Sequence, residues 1–60
     1  MTARAQLSSI ATRLSELVGS LTEVEDSLGG AERDELGAEL AEVERNLRTA
    51  LRRLNRTLDR

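Results

Sequence analysis

Residues 7–28 read LSSIATRLSELVGSLTEVEDSL, and the large apolar side chains in that stretch fall at Leu7, Ile10, Leu14, Leu17, Leu21, Val24 and Leu28. Steps of three and four alternate, a spacing that gathers all of these side chains on one side of an α-helix. With Leu7 at heptad position a, the series alternates between a and d, and Ala3 joins it at d. Ala11 and Val18 fall at e, which widens the stripe from the a/d line of a two-stranded coil toward the broader face of a helical bundle. Gly19 lands at f, the outermost position, where a glycine needs no packing role.

The same spacing returns further along, at Leu36, Leu40, Val43, Leu47, Leu51, Leu54 and Leu58. Between the two series stands Gly29-Gly30, the one glycine pair in the chain, where the repeat breaks and a glycine is free to adopt a left-handed helix-ending conformation. The pattern predicts an all-α fold: one antiparallel helical hairpin spanning 1–60, with helix 1 at about 2–28, a turn at 29–30 and helix 2 at about 31–59. Thr2 is the expected N-cap of the first helix. In an alternative reading residues 30–33 belong to a longer loop and Asp34 caps the second helix. The step from Leu47 to Leu51, Leu54 and Leu58 reads as a four-residue stutter, which would straighten the supercoil toward the C-terminal end.

Sixty residues form a small domain, and a lone hairpin covers only part of each apolar stripe. Cysteine and histidine are both absent, so neither disulfides nor thiolate or imidazole metal sites reinforce the core. Self-association is the remaining route, and two hairpins packed as a four-helix bundle give the expected homo-oligomer. The leucine-series residues named above are its expected core and interface, with Leu14, Leu17, Leu21, Leu40, Val43 and Leu47 at the centre.

The formal charge of −2 conceals a separation along the chain. Residues 16–44 carry ten acidic side chains against Arg33 alone, and residues 45–60 carry six arginines against Asp59 alone. Folding the hairpin brings the basic segment beside Arg4 and Arg13, so the open end is basic and the loop end acidic. An antiparallel dimer sets opposite charges together, and it is the preferred assembly. Arg45, Arg48, Arg52 and Arg56 form a stripe on the second helix, the candidate contact for an acidic partner surface or for nucleic-acid phosphates.

Chemistry of other kinds finds little support. Without histidine or lysine no serine has its usual catalytic base, and the exposed glutamates lack the histidines of a bundle-type metal site. A non-enzymatic chain is expected, with no catalytic residue, cofactor or metal. The absence of Phe, Tyr and Trp removes the stacking platform on which RNA-loop recognition relies. Apolar runs no longer than two residues and the lack of a secretory h-region lead to the expectation of a cytoplasmic protein without membrane contact. The functional expectation is a structural or regulatory protein-interaction module, binding itself or a helical partner, with a small nucleic-acid-binding regulator as the alternative.

Overall fold

The computed structural model describes residues 2–60. Two helices, α1 (Ala3–Ser27) and α2 (Gly30–Leu58), pack against each other as an antiparallel hairpin measuring 46 × 16 × 11 Å. Thr2 caps α1, its hydroxyl accepting from the Ala5 N–H at 3.1 Å and so satisfying one of the amides that an α-helix leaves free at its start.

The reversal takes two residues. Leu28 (φ −68°, ψ 138°) and Gly29 (φ −140°, ψ 158°) are extended, and Gly30 turns into the next helix with φ +52°. The left-handed glycine therefore opens α2 rather than closing α1. The longer loop with Asp34 as cap does not form, because Gly30 supplies the tight entry and helix is already established there. An arginine closes the end of α1 instead: Arg33 donates to the Leu28 carbonyl from Nε (3.1 Å) and Nη2 (2.7 Å), and Nη2 also reaches the Glu25 carbonyl at 3.5 Å. At the opposite end Arg4 does the same for α2, donating to the carbonyl oxygens of Leu58 and, at 3.1 Å, of Arg60. Each helix thus has its C-terminal carbonyls covered by a cation from the other helix, where the helix dipole favours positive charge.

The seam between the helices differs from the leucine series read in the sequence. On α1 and its cap the residues withdrawn from water include Leu7, Ala11, Leu14, Val18, Leu21, Glu25 and Leu28 at heptad positions a and e, with Thr22 beside them at b. On α2 they include Gly37, Leu40, Glu44, Leu47, Leu51, Leu54 and Leu58, again in unbroken steps of three and four. The stutter disappears. It arises from counting Leu36 and Val43 into a seam whose register is held by Gly37 and Glu44.

Candidate protein-interaction face

Three of the predicted core residues on α1, Ile10, Leu17 and Val24, occupy position d and stand outside the hairpin's seam. Aligning Leu40, Leu47 and Leu54 as position a places Leu36, Val43 and Ala50 at position d of α2. Ile10, Leu17, Val24, Leu36 and Val43 are 43–63% exposed, Leu17 most of all. The d rows are offset from the seam in the same rotational sense on two antiparallel helices, which puts both on one side of the hairpin. The structure therefore divides the predicted core in two: the a positions with Leu51 and Leu58 hold the hairpin together, and the d positions form a second apolar face. Ile10, Leu14, Leu17 and Arg13 line a shallow apolar depression on that face.

Only Ala11 and Val18 are buried among the described residues, at 7% and 4% exposure. Five half-exposed apolar side chains beside so thin a core leave the isolated hairpin with a costly outer face.

The opposite side of the seam is polar. Thr22 Oγ1 donates to Glu44 Oε1 at 2.5 Å, and Arg48 reaches both, donating to Thr22 Oγ1 from Nη2 at 3.3 Å and pairing with Glu44 Oε2 through Nε at 3.5 Å. Glu25 completes the group. Its Oε1 is buried without a hydrogen-bond donor, and loss of hydration raises its carboxyl above the ordinary glutamate value, with hydrogen bonding to Glu44 and the charges of Glu44 and Asp26 acting in the same direction against Arg48. Glu44 moves the other way. The Thr22 hydroxyl is the main cause, and Glu25 and Arg48 add to it against the cost of desolvation. The two carboxyls thus divide their roles: Glu25 holds a proton more readily and Glu44 gives one up more readily.

Sequence reading missed this group, although its signal was present. Continuing Ala11 and Val18 by seven residues reaches Glu25, and counting back seven from Leu51 reaches Glu44. Neither position attracts notice in a search for apolar residues.

The four arginines of the stripe have different neighbours. Arg45 Nη1 pairs with Glu42 Oε2 at 2.6 Å within its own helix, Arg48 joins the polar seam, and Arg52 Nη2 donates to Thr49 Oγ1 at 3.3 Å. Arg56 lies apart from them with Arg53, Thr57 and Arg60 around a shallow groove at the open end. Among the described residues no cluster of three or more acidic, histidine or cysteine side chains is arranged to hold a metal ion, and no helix is long and apolar enough to cross a membrane. No protein-family model matches the chain, and comparison with curated proteins and with solved structures likewise finds no match.

Proposed function

We propose that this chain is a non-enzymatic protein-interaction module, structural or regulatory, that self-associates through its outer apolar face to form a four-helix bundle. The observation that carries the reading is the exposure of Ile10, Leu17, Val24, Leu36 and Val43 on one side of the hairpin. The bounding dimensions of that side, 46 by 16 Å, give a projected area of roughly 700 Å² per copy, close to the ~800 Å² each partner contributes to a standard stable interface. Covering it with a second hairpin completes the core that Ala11 and Val18 only begin.

Sedimentation equilibrium from micromolar to millimolar protein tests the reading. A concentration-dependent shift from monomer to dimer is expected. A folded monomer throughout that range would refute self-association and leave a different helical partner as the occupant of the face.

A second reading, a nucleic-acid-binding regulator, rests on the stripe of Arg45, Arg48, Arg52 and Arg56 along α2, whose last member borders the groove at the open end. Titration of labelled duplex DNA and structured RNA at moderate salt separates the two. The interaction reading expects no binding at low micromolar protein. Binding that disappears in an Arg45, Arg48, Arg52 and Arg56 to Gln variant with unchanged helicity would favour the nucleic-acid reading.

A further inference from the structure

In the register set by the structure, the row flanking the outer apolar face of α2 is Glu32, Glu39, Asn46 and Arg53, one residue in every seven, and the same spacing continues to Arg60 just past the end of the helix. These are the g positions, next to the d row of Leu36, Val43 and Ala50. The sequence of charges inverts about its centre: two glutamates toward the loop, a neutral asparagine, two arginines toward the open end. From these charges and the exposed d face we infer that the occupant of the face is a second copy of this chain with its loop at the opposite end, α2 lying antiparallel on the partner's α2. The inference rests on the self-association proposed above and adds its orientation.

Antiparallel helices bring g positions opposite g positions, so this row is complementary to itself. Glu39 meets the partner's Arg53, Glu32 meets the partner's Arg60, and the two Asn46 side chains meet at the two-fold axis, where neither charge is required. Both glutamate pairs occur twice by symmetry. The opposite arrangement, with both loops at one end, sets α1 on the partner's α2. Arg13, which borders the apolar face through Ile10 and Leu17, then lies level with the partner's Arg53, a like-charged pair that occurs twice by symmetry. The rest of the α1 g row, Gln6, Ser20 and Ser27, offers no cation to Glu32 and Glu39. Charged rim pairs add little affinity individually, but here they choose between two arrangements that bury the same apolar face.

Two measurements test the orientation at low ionic strength, where surface charges are least screened. The first is the dimer dissociation constant of Glu39→Arg, Arg53→Glu and the double variant. Each single variant turns two attractive pairs into two repulsive ones and is expected to weaken the dimer about tenfold, whereas the double variant recreates the pairs in reverse and returns to within about threefold of the parent. The second uses the absence of cysteine: a nitroxide attached at Ala31→Cys, on the exposed outer side of α2's first turn, labels the loop alone. Electron–electron distance measurement is expected to give a separation near the 46 Å length of the hairpin. A separation under roughly 20 Å, two interhelical spacings, would place the loops together and overturn the inference while leaving self-association standing. A double variant no tighter than the singles would also overturn it. A monomer at millimolar concentration would remove both the inference and the reading beneath it.

Discussion

Thr22 and Glu44 are joined across the hairpin by a 2.5 Å hydrogen bond from hydroxyl to carboxylate, and the same hydroxyl accepts from Arg48 at 3.3 Å. One small side chain on α1 therefore meets both charges of an i,i+4 ion pair on α2. Thr22 also has the Val18 carbonyl at 3.1 Å, the usual acceptor for a threonine within a helix. With a single proton to donate, the hydroxyl serves one acceptor at a time, and the shorter contact is the one between helices.

Replacing Thr22 by Val keeps the shape and removes the donor. The Glu44 carboxyl is then expected to rise toward its ordinary value, because the largest influence holding it down is gone. Side-chain carboxyl NMR across an acid titration reads this directly. Thr22→Ser should retain the lowered value.

Glu25 and Glu44 shift in opposite directions, so they act on stability with opposite signs. Glu25 is raised in the folded state, and its contribution is present when it is protonated and lost as pH rises through its folded value. Glu44 is lowered, and its contribution is present above the ordinary glutamate value and lost as pH falls through its folded one. Together they favour the mildly acidic window in which Glu25 holds a proton and Glu44 is charged. Glu25→Gln supplies a permanent donor to Glu44, so thermal denaturation is expected to show the variant more stable than the parent at neutral pH. The difference should shrink as the parent is acidified. A constant difference across pH would argue against a shared proton.

Neighbouring residues Leu17 and Val18 serve different interfaces. Val18 is 4% exposed in the seam, and truncation to Ala should cost about 2 kcal/mol at every protein concentration. Leu17 is 63% exposed on the outer face, and Leu17→Ala should cost little in dilute protein and progressively more as the dimer fills. Melting curves over a hundredfold concentration range distinguish the two.

The glycine pair separates in the same way. Gly30 has φ +52°, so Gly30→Ala should destabilise the hairpin by roughly 1–2 kcal/mol even though the added methyl meets nothing within 4 Å. Gly29 is extended, with equally open surroundings, and Gly29→Ala should be neutral or mildly stabilising. Denaturant unfolding of the two variants compares them.

Helix identity, the Thr2 cap and the reversal near Gly29-Gly30 were legible from spacing and end signals alone, because local preferences and tertiary packing agree there. The division of the apolar residues was not. A heptad stripe shows which side of a helix is apolar but not which flank meets the first neighbour, and Leu17 reads the same whether it faces α2 or water. The deciding residues were small or polar: Ala11 and Val18 at e, then Glu25, with Gly37 and Glu44 opposite. Likewise Arg4 and Arg33 read as scattered charge until the fold brings each to the far end of the other helix.

Those two arginine clasps also set an order of events. Arg33 closes on Leu28 across five residues, whereas Arg4 closes on Leu58 across fifty-four. Joining the nearer pair restricts far less chain, so the hairpin can zip from its turn toward its termini, each step shortening the loop left for the next. Opening runs in reverse. The Arg4 clasp is expected to open before the Arg33 clasp, and the amide hydrogens near Leu58 should exchange with solvent well before those flanking Val18.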